Sequence, residues 1–168
     1  MKIKISNLKD GVHYFNFDES IKDVNLKDPF FGNIKVEVEL NKVHNQIVLS
    51  AELSVNANFD CDRCSNNFDS IITNSYKMVY LSGTKPEESG SMNITYLPLD
   101  EDKIIIDDDV RDYAILAIPM KRLCKEDCMG LCPNCGKDLN EGACNCETEK
   151  NDKRWLPLME LKNKINNN

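Results

Sequence analysis

The stretch IKVEVELNKVHNQIVLSAELSVNANF, residues 34–59, decides the fold because it alternates apolar and polar residues along two successive segments. In the first segment every second residue is apolar: Ile34, Val36, Val38 and Leu40. The polar triplet HNQ at 44–46 predicts a turn, and the alternation resumes over 47–59. A period of two places the apolar residues on one face of an extended chain. The stretch therefore predicts two adjacent strands of a sheet that buries one face.

Further strand patterns surround this stretch. They are KIKIS at 2–6, VHYFNF at 12–17 after the Asp10-Gly11 turn signal, IITNSYKMVYL at 71–81, and the shorter ITYLPL at 94–99 and KIII at 103–106. The polar residues 18–33 are interpreted as a connection, and SGTKPEESGSM at 82–92 as a flexible loop. Cys61 and Cys64, in the sequence CDRC, fall between two strand-like segments, so we expect them at the tip of a hairpin.

One helix is predicted from near Asp107 to Pro119. Three consecutive aspartates, 107–109, are expected to cap its first turn and to complement the positive end of the helix dipole. Apolar residues then recur at helical spacing: Val110, Ala114, Ala117 and Ile118. The cysteine-rich segment follows this helix directly.

These patterns predict an α+β protein: a β-rich, twisted antiparallel sheet or open barrel with one main helix and a zinc-bound C-terminal segment. We expect the β-rich main domain over 1–120, the cysteine-rich zinc-binding segment over 121–150, and a C-terminal tail or short helix over 151–168. The tail helix is predicted from RWLPLMELKNK at 154–164, although it contains Pro157.

The charge of the chain is concentrated in its front two thirds. The formal net charge of the 168 residues is −7; residues 1–118 hold 12 Lys/Arg and 20 Asp/Glu, a net charge of −8. An acidic body argues against non-specific binding to a phosphate backbone and favours a basic partner. MKIKISNLKDG has no apolar run of a signal peptide, and no apolar stretch is long enough to span a membrane. We therefore expect a cytoplasmic protein with reduced thiols.

The stretch CPNCGKDLNEGACNC, residues 132–146, contains four of the eight cysteines. In a Cys-x-x-Cys turn, both thiolates point at one ion and backbone N–H groups can donate to the sulfurs. Gly136 follows Cys135 and supplies the permissive backbone that this turn needs. Four soft ligands within one loop suit tetrahedral Zn²⁺. We therefore predict a zinc site formed by Cys132, Cys135, Cys144 and Cys146.

The other four cysteines are Cys61, Cys64, Cys124 and Cys128. By elimination they predict a second site, which would fasten the hairpin tip to the segment after the helix. A different partition, in which Cys61 and Cys64 share an ion with Cys132 and Cys135, satisfies the sequence equally well. The spacing therefore predicts at least one zinc ion and allows two.

The sequence contains no motif of an identifiable enzyme. A closed four-thiolate site has no open position for a substrate water, so it is typical of structural rather than hydrolytic zinc. Redox Cys-x-x-Cys motifs lie at the start of a helix beside a βαβ unit, and neither pair here has that context. A non-enzymatic protein is favoured; a zinc-dependent RNA-processing enzyme and a redox or zinc-storage protein are the alternatives.

Basic residues and the single tryptophan flank the cysteine segment. The candidate contacts to RNA or a protein partner are Lys121, Arg122, Lys125, Arg154 and Trp155. Zinc modules with nearby cations often contact phosphate, and an aromatic ring can stack on an unpaired base. The alternative is a solvated basic rim, with Trp155 packing the tail onto the body.

Two stretches resemble a known family. DCDRCSNNFD at 60–69 and IIIDDDVRDYAILAIPMKRLCKEDCMGLCPNCGKDLNEGACNC at 104–146 are similar to the YceD-like family of bacteria and plastids. Members are described as large ribosomal RNA subunit accumulation proteins. The similarity covers nearly the whole chain, and the combination of CDRC with LCPNCG at 131–136 is quite specific.

The resemblance implies a role in ribosome biogenesis. The family role is the accumulation or processing of large-subunit ribosomal RNA, and the family's gene neighbourhood contains a small, basic large-subunit ribosomal protein. The resemblance supplies no catalytic residue. Cys61, Arg63 and Cys64 match the family's most typical motif, which makes Arg63 a further candidate contact. We expect binding to large-subunit rRNA, to a basic large-subunit ribosomal protein, or to both.

Overall fold

A computed structural model describes residues 1–83, 94–146 and 157–158. Over these residues the chain forms seven strands and one helix: β1 (Lys2–Lys4), β2 (Gly11–Ser20), β3 (Phe30–Val43), β4 (Gln46–Asp60), β5 (Asn67–Ser82), β6 (Ile94–Leu97), β7 (Lys103–Ile105) and α1 (Asp107–Leu116). The chain divides into two compact units. The first, here called the sheet unit, comprises Met1–Asp62 and Asn66–Cys124; the second, the cysteine unit, comprises Arg63–Ser65 and the described residues from Lys125 onward.

The sheet unit is built on an open five-stranded sheet with the strand order β2-β3-β4-β5-β6. Strands β2 to β5 are antiparallel neighbours, as the alternating patterns predicted, and the sheet does not close into a barrel. The prediction of an antiparallel sheet is wrong for β6, which runs parallel to β5. The connection between Ser82 and Ile94 is far longer than a hairpin turn, so the chain can return to the same end of the sheet.

One face of this sheet is buried. The register pairs Leu40 with Leu49 and Val36 with Leu53, so the apolar residues of β3 and β4 lie side by side on the same face. All four of these residues are at most 2% exposed. A shift of one residue would expose the whole set, so burial of this face fixes the register. The 34–59 stretch thus forms two adjacent strands with one buried face, as predicted.

The strands extend beyond their predicted limits. β2 continues to Ser20 and β3 begins at Phe30, so only the middle of the predicted 18–33 connection is a loop. The short strands β1 and β7 pair with each other in a separate two-stranded sheet. Their residues Ile3 and Ile104 belong to the same apolar core as the large sheet.

Helix α1 begins and ends close to the predicted positions. Its residues Val110 and Ala114 are buried in the core, and the ring of Tyr113 stacks on that of Tyr76 with centroids 4.3 Å apart. The prediction that the aspartates cap the helix is wrong, because Ile106 occupies the N-cap position and no side chain caps the helix. Asp107 instead pairs with the terminal ammonium of Met1. The three aspartates still lie in the first turn, where negative charge complements the helix dipole.

The predicted 82–92 loop and the predicted tail helix fall almost entirely outside the described residues. Across the part of the chain that the structure describes, no helix has the length and apolar character needed to cross a membrane.

Candidate metal centre

The CDRC sequence lies in the connection between β4 and β5, as expected. Its first residue, Cys61, donates its backbone N–H to the carbonyl of Asn66 at 2.9 Å and so closes the tip of the hairpin. Ser65 has a φ of 58°, a left-handed conformation that turns the chain back toward β5. This local geometry fixes the direction in which the CDRC turn presents its side chains.

Asp62 connects the hairpin tip to the segment after α1, within the sheet unit. One carboxylate oxygen of Asp62 accepts the backbone N–H of Arg122 at 2.7 Å, and the other accepts Nη2 of the same arginine at 3.0 Å. The backbone N–H of Asp62 donates to the carbonyl of Arg122 at 2.8 Å. These three bonds, here called the Asp62–Arg122 bracket, hold together two segments that are distant in sequence. They bring Cys124 to the same end of the unit as Cys61.

Arg63 organises the cysteine unit. Its guanidinium Nη1 donates to the carbonyl of Cys128 at 2.6 Å, and its own carbonyl accepts the N–H of Leu131 at 3.1 Å. Gly130 has a φ of +74°, and a Cβ at this position would lie 3.0 Å from the carbonyl oxygen of Arg63. A glycine is therefore required both by the left-handed backbone and by the close approach of Arg63.

The structure brings the eight cysteines together as two groups of four. Cys61, Cys64, Cys124 and Cys128 form the first, here called the proximal group, and Cys132, Cys135, Cys144 and Cys146 form the second, the distal group. Within each group, all four sulfurs lie within 4.8 Å of one another. The structure thus groups the thiols in the first of the two partitions that the sequence allowed, and not as Cys61 and Cys64 with Cys132 and Cys135.

The two groups differ in burial. In the proximal group, Cys61, Cys64 and Cys128 are each at most 3% exposed and Cys124 is half-buried. In the distal group, Cys132 is buried, Cys135 is exposed, and the remaining two are half-buried. The distal sulfurs are therefore the more accessible to solvent.

Backbone groups of the distal turn are directed at sulfur. The backbone N–H groups of Cys135 and Asn134 donate to the sulfur of Cys132. Mainly because of these two bonds, the pKa of Cys132 is lowered to about 6. The turn is closed by a bond from the N–H of Gly136 to the carbonyl of Cys132 at 2.9 Å. Such N–H donors stabilise a thiolate, which is the form that binds a metal.

The neighbouring thiols oppose the ionisation of Cys146. Hydrogen bonding with Cys135 is the largest cause that raises the pKa of Cys146 to about 12, followed by burial and by the Cys144 and Cys132 thiols. Four thiols this close cannot all ionise without a compensating cation. A bound divalent cation would supply that charge and would hold all four in the thiolate form.

Asn140 links the distal loop to the proximal group within the cysteine unit. Its amide nitrogen lies 3.4 Å from the sulfur of Cys128 and donates to the carboxylate of Asp138 at 2.7 Å. Its amide oxygen accepts the N–H of Met129 at 2.9 Å. The side chain thus donates to a proximal sulfur from a position between the second and third distal cysteines.

Both groups fit a tetrahedral four-thiolate site. A Zn–S distance of about 2.3 Å places tetrahedral sulfurs about 3.8 Å apart. The sulfurs of each group lie within 4.8 Å of one another, so small side-chain shifts bring them to that spacing. Sulfur-only ligands favour zinc over the hard cations Mg²⁺ and Ca²⁺. The two groups could therefore each hold a metal ion. The identity of that ion as zinc stays a prediction.

The candidate contact residues occupy different environments. The guanidinium groups of Arg63 and Arg122 have internal partners, Cys128 and Asp62 respectively. Lys121 and Lys125 have exposed side chains, while Arg154 and Trp155 lie outside the described residues. A role for any of these residues in binding RNA or protein stays a prediction.

Sequence reasoning missed the residues that support the cysteines. Asp62, Gly130 and Asn140 are not ligands, yet they shape the turns and contact the segments that carry the thiols. Only Gly130 carried a usable signal, because a glycine two residues after one cysteine and two before another suggests a tight turn. The bonds of Asp62 and Asn140 depend on partners that only the folded chain brings close.

The chain has recognisable relatives. Residues 49–162 match the family model described as large ribosomal RNA subunit accumulation protein YceD. A protein of Arabidopsis thaliana, named large ribosomal RNA subunit accumulation protein YCED homolog 1, chloroplastic, is 33% identical over 70 residues; these cover 42% of this chain and 22% of the relative's length. No solved structure matches the chain. Because the matched region runs from β4 through both cysteine groups and exceeds half of the sequence, the chain belongs to the YceD family of large ribosomal RNA subunit accumulation proteins.

Proposed function

We propose that this protein is a non-enzymatic factor for the accumulation or processing of large-subunit ribosomal RNA during ribosome assembly. It holds two structural zinc ions and binds a basic large-subunit ribosomal protein, rRNA, or both. The observation that carries the proposal is the family match over 49–162, which contains every one of the eight cysteines. The rRNA role comes from the family description; the metal and partner assignments rest on the residues themselves.

The donor sets support a structural rather than a catalytic use of zinc. A hydrolytic zinc site keeps an open position, usually with three protein ligands and a water. Here each group offers four sulfurs at mutual distances below 4.8 Å, so the protein alone can complete the coordination. A zinc-dependent RNA-processing enzyme would need a ligand to leave its site. The closed sets therefore support a scaffold that stabilises the cysteine unit.

The charge distribution supports a basic protein as the partner of residues 1–118. Residues 1–118 carry a net charge of −8, which attracts a basic protein and repels a phosphate backbone. The exposed Lys121 and Lys125 lie in the near-neutral remainder of the chain, where contact with RNA is electrostatically easier. The cytoplasm stays the predicted compartment for this chain, although the Arabidopsis relative is named chloroplastic.

Affinity purification from cells, with metal analysis of the same sample, tests this proposal. We expect recovery of large-subunit rRNA precursors with their ribosomal proteins, and about two zinc ions per chain, because each four-thiolate group binds one ion. The control is the same protein with all eight cysteines replaced by serine, which should recover neither zinc nor a folded cysteine unit. Recovery of mature ribosomes only, or of no ribosomal material, would contradict the assembly role.

Zinc-transfer kinetics distinguish the storage alternative. A structural site loses metal only as its own fold is lost, whereas a storage site gives up metal while the fold stays intact. We expect a strong chelator to remove zinc and amide protection from the cysteine unit at the same rate. Fast loss of zinc with amide protection retained would favour a zinc-storage protein.

A further inference from the structure

Strand β2 forms a long edge of the five-stranded sheet. It runs over Gly11–Ser20 and pairs only with β3 among the described strands, in a continuous register without a bulge. Among the described residues, no backbone hydrogen bond outside the sheet ladders involves a residue from Val12 to Glu19. An edge strand of this length presents a row of N–H and C=O groups to a further strand.

The usual devices that protect an edge strand are absent from β2. Its sequence GVHYFNFDES contains no lysine and no proline, and its charged residues stand only at its end. The ring of Tyr14 is 72% exposed and Val12 is 48% exposed, so apolar surface lies along the edge. These features favour addition of a strand rather than defence against it.

The core face of the sheet is incomplete at this edge. Phe15 and Phe17 stand opposite Val38 and Val36 of β3, which are at most 2% exposed, yet both rings are only half-buried. Their outer flanks have no neighbouring strand to cover them among the described residues. Apolar side chains on one face of an added strand would lie beside Phe15 and Phe17 and cover their exposed flanks.

The solvent face beside the same edge is acidic. The cross-strand rows place Tyr14 beside Glu39, and Asn16 beside Glu37, which faces Glu52 on β4. Like charges directly opposite each other destabilise a sheet, and a cation placed nearby relieves the repulsion. Asp18, further along β2, stands opposite Lys35 and accepts a hydrogen bond from the side-chain amide of Asn33 at 2.8 Å. These rows therefore carry four carboxylates and one lysine. Lysine or arginine side chains on an added strand would lie beside Asp18 and over the Tyr14 ring, where a cation is attracted to the aromatic face.

We infer that β2 binds an extended segment of a basic protein in which lysine or arginine alternates with apolar residues. The apolar side chains cover Phe15 and Phe17, the basic side chains face Tyr14, Asp18 and the glutamates, and main-chain bonds along β2 set the register. This deepens the proposed function by naming the surface and the sequence pattern of its protein partner, and it rests on that proposal. A second copy of the chain fits less well, because β2 carries only acidic charges and the sheet unit is acidic as a whole.

The test uses the full-length, zinc-loaded protein and a labelled eight-residue peptide of alternating lysine and valine. Fluorescence anisotropy measures the affinity, and hydrogen exchange locates the site. We expect slower exchange of amides within 11–20 when the peptide is bound. A peptide with the same composition, but with four lysines followed by four valines, should bind at least about tenfold more weakly, because it keeps the charge and loses the two-faced pattern.

Two N-methylated peptides test the main-chain pairing. One carries N-methyl groups on every lysine, the other on every valine. In a paired strand, alternate N–H groups point toward the partner, so only one of the two peptides loses its bonds to β2. We expect their affinities to differ by at least about tenfold. Equal affinities would mean that charge alone holds the peptide, which would overturn the strand-pairing inference.

Charge reversals provide the protein-side control. The variant D18K/E39K changes the solvent face beside β2, while D100K/E101K makes the same change of net charge in an exposed loop elsewhere in the sheet unit. We expect the first to weaken binding at least about tenfold and the second less than about threefold, with unchanged circular dichroism for both. Equal weakening by both variants would contradict the assigned surface.

The remaining outcomes also decide the inference. Exchange protection confined to residues outside 11–20, or no binding at all, would overturn it. Sedimentation that finds a dimer in the free protein, with β2 amides protected, would assign the edge to a second copy instead. Recovery of ribosomal precursors without peptide binding leaves the proposed function standing and removes only the β2 assignment.

Discussion

The two units of this protein are stabilised by different means. The sheet unit has a continuous apolar core that takes residues from β1, β3, β4, β5, β7 and α1. In the cysteine unit, among residues 125–146, the only buried residues are Cys128, Gly130 and Cys132. Burial of apolar surface can stabilise the first unit on its own, at about 25 cal/mol per Å². The second has almost no such surface to bury.

The cysteine unit therefore needs a source of folding free energy other than an apolar core. A segment this short cannot balance its loss of conformational entropy without an apolar core, so it needs disulfides, metal or another partner. Its bonds through Arg63 and Asn140 give geometry, but a hydrogen bond contributes only about 1 kcal/mol net. The sulfurs therefore supply the largest stabilising interaction available to the cysteine unit, provided that they bind an ion.

Removal of two distal ligands is expected to have the largest effect. The double variant C132S/C135S leaves the distal group with two thiols, so it should lose one of two zinc ions. Structural zinc sites have apparent binding free energies of roughly 10–16 kcal/mol, which exceeds any other interaction in the segment. We expect amides of residues 128–146 to lose their protection in hydrogen exchange while those of β3 and β4 keep theirs.

The control for this variant is A143S, which introduces the same serine at an exposed position of the same loop. It should retain two zinc ions and the exchange protection of the parent protein. If C132S/C135S instead unfolds the sheet unit and the cysteine unit in one transition, the two units are not stabilised by separate means.

A core truncation is the next largest change and should act on the sheet unit alone. Leu49 is fully buried and faces Leu40 on the neighbouring strand, so Leu49→Ala leaves a cavity. We expect a loss of about 2–5 kcal/mol in the free energy of unfolding of the sheet, measured by urea denaturation. The matched control, Val48→Ala, lies half-buried on the opposite face of the same strand and should cost about 1 kcal/mol or less.

Zinc stoichiometry serves as the second readout of that experiment. While the sheet remains folded, Leu49→Ala should retain two zinc ions, because no ligand has been changed. Loss of zinc at urea concentrations where the sheet is intact would contradict separate stabilisation of the two units.

The sequence predicted the sheet well because its information is local. The alternation in 34–59 identifies two strands and the buried face without any knowledge of distant partners. The direction of β6 was not predictable, because Ile94–Leu97 has the same short apolar pattern in a parallel or an antiparallel position. Similarly, three aspartates at a helix start suggest caps, but the N-cap lies one residue earlier, at Ile106. Both errors arise where several arrangements share one local pattern.

The cysteine groups were predictable in part for a related reason. Spacing within 132–146 identifies the distal group, because its ligands are close in sequence. The proximal group combines two pairs that are about sixty residues apart, and the sequence alone allowed another partition. The groups are distinguished by interactions such as the Asp62–Arg122 bracket, which form only after the hairpin and the segment after α1 have folded.

A glycine substitution tests the backbone of the cysteine unit at a smaller scale. Gly130 and Gly136 have nearly equal φ values, +74° and +72°, but only at Gly130 would a Cβ contact another residue, Arg63. Gly136→Ala should therefore cost about 1–2 kcal/mol from the left-handed conformation alone. Gly130→Ala should cost more, because the backbone of Arg63 must move as well. Competition with a chelator measures the loss as weaker zinc binding, and equal losses would contradict the Arg63 contact.

The smallest expected effect concerns Asp62, whose bracket belongs to the sheet unit. The backbone N–H of Arg122 is the largest cause that lowers the pKa of Asp62, and the guanidinium adds to it. Since the folded pKa lies below the unfolded value of about 3.9, the stabilisation is complete above that pH and is lost as the pH falls through the folded pKa. We expect Asp62→Asn to be less stable than the parent protein at pH 7, and the difference to shrink in acid.

Asp23→Asn, at an exposed turn, is the control. Metal loss in acid affects the parent protein and Asp62→Asn alike, so it cancels when their free energies of unfolding are compared. If the difference between these free energies does not change with pH, the charge of Asp62 does not stabilise the fold.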